Sequence, residues 1–310
     1  MLLSWMACRA SAVGLRNAHS DCKKKPMPLV ALPDRSIVSV AGPDAEHLLQ
    51  NVITTDLDAL AVGQAKPGAL LTPQGKILFD FLISRNGSNG FRLDTRRDAA
   101  GDLAKRLVLY RLRAKAEIAV DDQTLVAAAW GNDSGASEND SSGLADTRFR
   151  EDAVLRIYDK PTEGSIRDWQ ALRIRNAVAE SGSDYALSDA FPHDVLLDQM
   201  EGVGMRKGCY VGQEVVSRMQ HRGTARRRVL IADAETTLPA AASEITANGK
   251  SLGTLGSTEG RRGLAIVRID RVKEAIDSGA AILAGGTPVT LSIPSWANFR
   301  FPEGPEAEPT

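Results

Sequence analysis

Apolar positions in this chain repeat with two periods, and the switches between them mark out its elements. Ser36-Ile37-Val38-Ser39-Val40 is rich in β-branched side chains and predicts a strand. Gly42-Pro43-Asp44 breaks that strand and opens a helix whose apolar face is Leu48, Leu49, Val52 and Ile53. Leu70-Leu71-Thr72, the turn Pro73-Gln74-Gly75 and the run from Ile77 to Ile83 predict a hairpin with a long second arm. A turn at Asn86 to Gly90 leads to a strand at Phe91-Arg92-Leu93, and Asp98 to Leu112 carries Leu103, Leu107 and Tyr110 at helical spacing. Strand character returns at Ile118-Ala119-Val120, at Leu125 to Ala128 and at Val154 to Ile157. Asp168 to Glu180 reads as a helix closed by Ser181-Gly182-Ser183. From Arg226 the pattern is β, with Val229-Leu230-Ile231, an Asn248-Gly249 hairpin turn, Leu264 to Val267 and Val289 to Ile293. Hairpins alternating with helices predict an α+β fold rather than a doubly wound parallel sheet.

Breaks in these patterns set the expected organisation. Residues 27–225 form an α+β region of two lobes, interrupted by a flexible Gly, Ser, Asn and Asp loop near 131–143. Residues 226–301 form a small barrel or sandwich, and residues 302–310, with three prolines and three glutamates, are expected to be disordered. Residues 1–26 carry Arg9, Arg16, Lys23, Lys24 and Lys25 against one acid, Asp21. That one-sided charge fits either an organellar transit peptide or a start placed upstream of a true initiator at Met27, and the second reading is preferred.

Composition narrows the function classes. Charged residues make up 25% of the 310 and the net charge is -1, so no global field draws nucleic acid or an anionic membrane. No apolar run approaches the ~20 residues needed to span a bilayer. Two of the three cysteines, Cys8 and Cys22, lie in the N-terminal segment, which leaves Cys209 alone in the folded body. One thiol makes no intrachain disulfide and does not supply the four ligands of a usual zinc or iron–sulfur site. His19, His47, His193 and His221 show no metal-ligand spacing, so no intrinsic metal site is expected.

The candidate chemistry concentrates in Lys207-Gly208-Cys209-Tyr210-Val211-Gly212-Gln213-Glu214. Thiolate is the reactive form of cysteine, and nearby cations such as Arg206 and Lys207 favour it. Glycines on either side let a ligand or another chain come close to the backbone. A lone cysteine also fits a small buried apolar side chain, but the surrounding pattern favours a reactive one. Arg218, His221, Arg222, Arg226, Arg227 and Arg228 crowd the boundary near 225. They suit a phosphate, a polyglutamate tail or RNA, and suit equally a solvated hinge paired with local acids; no aromatic side chain is interleaved for base stacking. Asp80 sits among Leu78, Phe79, Phe81 and Leu82, either facing outward or poised for proton or pterin recognition. Trp169 shares a helix with Arg173 and Arg175, and a tryptophan in such a place is more often core than ligand platform.

The octapeptide resembles the signature of the YgfZ-type folate-binding proteins of iron–sulfur cluster maturation, relatives of the glycine-cleavage aminomethyltransferase. Ile37 to Gly42 with Leu48-Leu49-Gln50 and Thr54-Thr55-Asp56 is similar to that family's opening strand and helix. Leu71 to Ile77, Tyr110 to Lys115, Phe191-Pro192-His193, and Arg218 with Arg222-Gly223 extend the match. The resemblance implies three lobes arranged as a ring about a folate-sized cavity, the third lobe a β-barrel. It implies tetrahydrofolate or a derivative held by Trp169, Asp80, Arg173 and Tyr210. Cys209 would be the reactive thiol or one ligand of a transient cluster shared with iron–sulfur carrier or client proteins. Lys207, Gly208, Tyr210, Gly212, Gln213 and Glu214 complete the signature. Aminomethyltransferases carry paired aspartates where this chain has Phe79-Asp80, and an acid where it has Arg175, which argues against glycine-cleavage chemistry. The leading expectation is therefore an accessory protein rather than a classical enzyme. A folate-dependent one-carbon transferase is the alternative and an RNA-associated module the second. The expected compartment is the cytoplasm, or the mitochondrial matrix if the chain is eukaryotic and residues 1–26 form a transit peptide.

Overall fold

A computed structural model describes residues 28–131, 143–160, 162, 164–223 and 225–302, and every structural statement below concerns these. The N-terminal extension with Met27, nearly all of the loop near 131–143, and the tail from residue 303 lie outside them.

Chain order gives β1 (Leu29–Ala31), β2 (Arg35–Ala41), α1 (Ala45–Val52), β3 (Gln64–Leu71), β4 (Ile77–Arg85), β5 (Gly90–Arg96), α2 (Arg97–Arg111) and β6 (Glu117–Asp121). β7 (Val126–Trp130), β8 (Leu144–Asp146), β9 (Val154–Tyr158) and α3 (Ile166–Arg175) follow. Among the described residues these strands form one sheet in the order β1-β7-β9-β8-β3-β4-β5-β2-β6. Pairing is antiparallel except between β3 and β8, which run parallel at Gln64 and Ala65. Beyond Ala65 that side of β3 has no strand partner, and Pro67, which cannot donate to a ladder, falls there. Helix α2 lays Ala99, Ala100, Leu103, Ala104 and Leu107 inward, the spacing of a helical stripe. With α1 it encloses a core of Val38, Leu49, Phe81, Phe91 and Leu93.

Helix α4 (Gln213–Arg222) precedes the second sheet: β10 (Arg227–Asp233), β11 (Glu244–Ala247), β12 (Lys250–Glu259), β13 (Arg262–Arg268), β14 (Ile282–Ala284), β15 (Thr287–Pro288) and β16 (Thr290–Ser292), with α5 (Ile269–Asp277) between β13 and β14. Its order is β15-β14-β11-β12-β13-β10-β16. The two edge strands are separated in the chain by Val289 alone, so the sheet curls until its edges nearly meet as a barrel. Asn248 and Gly249, both at positive φ, turn β11 into β12 as the Asn-Gly pair predicts.

A third core joins the two sheets. Trp169, Leu172 and Ile174 of α3 pack with Leu71 and Ile77, with Val195 and Met200 from the segment after α3, and with Val229, Leu264 and Ile266 of the barrel. Helix α3 ends at Arg175, five residues before the expected end at Glu180. The Asn176 side chain donates to the Leu172 carbonyl at 2.9 Å and to Asp152 at 2.7 Å, competing with the helix, and Ala177 takes φ 53°. Glu180 to Tyr185 is thereby released from the helix to enter the space between the sheets. No helix is long and apolar enough to cross a membrane.

Candidate functional site

The signature runs from a loop into the first turn of α4, and Lys207, Tyr210 and Gly212 hold it to the body while Gly208 and Cys209 are exposed. Thr54, just past α1, is the receptor: its hydroxyl donates to the Gly202 carbonyl at 2.7 Å, and its carbonyl accepts from the Gly204 amide at 2.8 Å. The Lys207 ammonium donates to the carbonyls of Ile53 at 2.9 Å and Thr55 at 2.7 Å. It also lies 5.4 Å from the centre of the Tyr210 ring. Burial lowers the Lys207 ammonium to about 8, against the pull of Asp56 and Asp58. Gly212, at φ 78°, backs onto the Pro73-Gln74-Gly75 turn: a Cβ there would come within 2.5 Å of the Thr72 carbonyl oxygen. Gly75, at φ 80°, would in turn meet Val215 at 2.9 Å. These turns need glycine.

Cys209 differs from its neighbours. It is exposed, while Lys207 and Tyr210 on either side are buried. A Cβ on Gly208 would meet nothing within 4 Å, and its φ is not of the kind that favours glycine. The fold itself therefore does not require glycine at 208. Met205, 42% exposed, and exposed Arg206 lie just upstream on the same loop. Lys207 is directed inward to main-chain carbonyls, so its part in this loop is to anchor it.

The second centre lies between the sheets around Asp80. One Asp80 carboxylate oxygen accepts from the Ser181 hydroxyl at 2.5 Å and the other from the Tyr185 hydroxyl at 3.0 Å. Burial and Asp80 together raise the Tyr185 hydroxyl well above its ordinary value. Around this pair runs a network of buried charges. Arg35 meets Asp94 at 2.7 Å, Arg148 and Arg156 meet Asp146 at 2.8 and 3.2 Å, and Arg173 meets Asp184 at 2.7 Å. Glu180 lies within 4.0 Å of Arg148, Arg156 and Arg173. Burial alone would raise the Glu180 carboxyl, but the surrounding guanidiniums hold it at about 2. The cavity that remains, lined by Arg35, Asp80, Phe81, Arg148, Tyr185 and Met200 among others, has a volume of about 20 Å³.

The expected folate residues do not converge on open space. Asp80 and Tyr185 face this cavity. Trp169 is 1% exposed, its ring 5.5 Å from Phe149 and 6.1 Å from Trp130, with the Arg156 guanidinium 5.1 Å from its centre. Arg173 is fully buried and donates to Val178, Asp184, Gln170 and Ser257. Tyr210 belongs to the signature loop. Arg175 points to the surface and pairs with Asp152 at 2.8 Å. Four of the arginines near 225 pair with acids: Arg218 with Glu214, Arg226 with Asp270, Arg227 with Asp189 and Arg228 with Asp198. Sequence reasoning missed Asp94, Arg156, Glu180 and Asp184. The signal that marked Asp80, a charge inside an apolar strand, was also present at Arg156 between Leu155 and Ile157 and at Asp94 beside Leu93.

A search of solved structures finds a glycine cleavage system aminomethyltransferase T from Bartonella henselae, with TM-score 0.69, 17% identity, and 87% of this chain and 85% of that one covered. This chain shares the aminomethyltransferase fold. Residues 226–299 match the family described as CAF17, C-terminal beta-barrel domain. Among curated proteins, the human "Iron-sulfur cluster assembly factor IBA57, mitochondrial" is 27% identical over 94% of this chain and 93% of its own length. The homolog from Mycosarcoma maydis is 28% identical over 86% of this chain and 79% of its own length. The YgfZ-type resemblance thus widens to a likeness with IBA57 and CAF17 proteins. The cytoplasmic expectation is corrected, because the human and Mycosarcoma maydis IBA57 proteins and six further IBA57 relatives are named mitochondrial. The mitochondrial alternative is the one that agrees with them.

Proposed function

We propose that this protein is an accessory factor of mitochondrial iron–sulfur cluster assembly that works through the Cys209 thiol. The observation that carries the reading is the exposed thiol on a loop anchored through Lys207, beside a glycine for which the fold has no use. Relatives named iron–sulfur cluster assembly factors, matching nearly the whole chain, support it. Among the described residues no three His, Cys, Asp or Glu side chains are grouped to hold a metal. In this reading Cys209 is one ligand, and a partner protein supplies the others. In the proposed step the thiol gives its proton to solvent, and the thiolate donates an electron pair to one iron of the cargo cluster in exchange for a solvent or small-thiol ligand that leaves that iron, with no change of oxidation state. Rigid anchoring matters because a ligand already in place loses little conformational freedom on binding. Gly208 leaves the main chain bare where the partner's surface comes close.

Tetrahydrofolate, the finer expectation, does not fit the Asp80 chamber as it stands, since about 20 Å³ admits about one water molecule. The proposed function therefore has no folate step. The test is anaerobic reconstitution with a purified cluster carrier, followed by visible absorption of the mixture. A new absorbing complex that forms with the native chain and not with Cys209→Ser is expected. Equal complex formation by the two proteins would remove Cys209 from the function.

A further inference from the structure

A fold shared with a folate enzyme raises the question of what this chain has done with the central chamber. Four arginines that are nearly or fully buried, Arg35, Arg148, Arg156 and Arg173, meet the acids Asp94, Asp146, Glu180 and Asp184 there. The segment Glu180 to Tyr185 runs between the two sheets and bonds to both, to Asp80 of β4 and to Ser257 of β12. Ser181 and Tyr185 occupy both oxygens of Asp80, the one acid of the strand motif that the sequence retains. Asp184 accepts from Arg173 and, through its other oxygen, from the Ser257 amide of β12 at 2.7 Å. The approach is so close that a Cβ on Gly256 would fall 2.6 Å from Asp184. Arg173 also donates to the Ser257 hydroxyl at 2.7 Å. Arg156 of β9 reaches Asp94 of β5 at 3.8 Å, across the three strands β8, β3 and β4 that lie between them in the large sheet. The segment is itself closed by backbone bonds, Gly182 to Tyr185 and Asp184 to Glu180.

We propose that the central chamber is a structural joint, filled by the chain's own Glu180 to Tyr185 segment and closed to a pterin, so that no tetrahydrofolate is bound there. Nη1 and Nη2 of Arg156, Nε of Arg173 and Oδ2 of Asp94 make no hydrogen bond and are held by the charges of the network itself, Arg156 against Asp94 and Glu180 and Arg173 against Glu180. The inference stands on the chamber alone and is independent of Cys209.

Calorimetric titration of the full chain with tetrahydrofolate and with 5-formyl-tetrahydrofolate, beside a genuine aminomethyltransferase, is the test. No saturable heat is expected. If binding is seen, the isosteric variants Asp80→Asn and Tyr185→Phe locate it. An affinity that changes tenfold or more in either variant overturns the proposal, whereas binding unchanged in both lies outside the chamber and agrees with it. Native-state hydrogen exchange supplies a measurement that needs no variant. The amides of Gly182 and Asp184 should exchange only with global unfolding, and fast exchange from the native state would mean a lid that opens, contradicting a joint.

Discussion

Replacing Glu180 by glutamine tests the joint where its charge is most concentrated. The variant keeps the shape of the side chain and removes the anion that faces Arg148, Arg156 and Arg173. In the folded protein the carboxyl falls from 4.5 to about 2 because the guanidiniums outweigh the cost of burial. Each tenfold change in proton affinity corresponds to about 1.4 kcal/mol, so the drop amounts to roughly 3 kcal/mol. Breaking a buried pair from one side costs about 3–5 kcal/mol in other proteins, which agrees. The sign follows from linkage. A carboxyl depressed on folding contributes stability that is complete above its unfolded value and lost as pH falls toward the folded one. Urea unfolding of the native chain and of Glu180→Gln should therefore differ by roughly 3 kcal/mol at pH 7, and the difference should shrink from pH 4.5 to 2. A difference under about 0.5 kcal/mol at pH 7, the ordinary range for a surface substitution, would refute the reasoning, as would one that does not vary with pH.

Gly208→Ala and Gly212→Ala should part company: the first should shift stability by less than about 0.5 kcal/mol yet impair maturation of client enzymes. The second should lose about 2 kcal/mol or more, because its φ is 78° and the new Cβ meets the Thr72 carbonyl. Guanidinium melts with a client-activity assay check both, and full activity in Gly208→Ala would remove the docking role given to the bare backbone. Burial lowers the Lys207 ammonium to about 8, so the unfolded chain binds that proton more tightly and stability gains from Lys207 as pH rises from 8 to 10.5. The urea midpoint of the native chain relative to Lys207→Met should rise across that window; a flat difference would show that the ammonium is not desolvated.

Much of the fold was legible because its periods are local. The hairpin of β3 and β4, helix α2 and the Asn248-Gly249 turn each follow from a few adjacent residues. Two kinds of feature were not. Helices α4 and α5 were missed. In α4 one side chain, Val216, is fully buried, so its polar sequence carries little stripe to read. In α5 the apolar residues Ile269, Val272 and Ala275 continue directly from the strand β13, which hides the change of period. The buried charge network was illegible for a different reason. Arg35 and Asp94 are 59 positions apart, and Arg173 and Ser257 are 84 apart, so no local pattern connects them. At the candidate site the sequence singles out Cys209, which the structure places at the surface, but it assigns Lys207 to the thiol when the ammonium is turned to the carbonyls after α1. Trp169 reads as core from its residue type and as a folate contact from the family resemblance, and in the structure it is buried against Trp130, Phe149 and Arg156.

Complementation of a strain lacking the native protein by Cys209→Ser, with the melting midpoint of the purified variant measured alongside, addresses the central claim most directly. Cys209 is exposed, and serine differs from it by one atom, so folding should be unchanged within about 0.5 kcal/mol. The account predicts a variant that melts with the native protein and leaves client iron–sulfur enzymes at the activity of the deletion strain. A variant that melts with the native protein and restores those activities in full would contradict it.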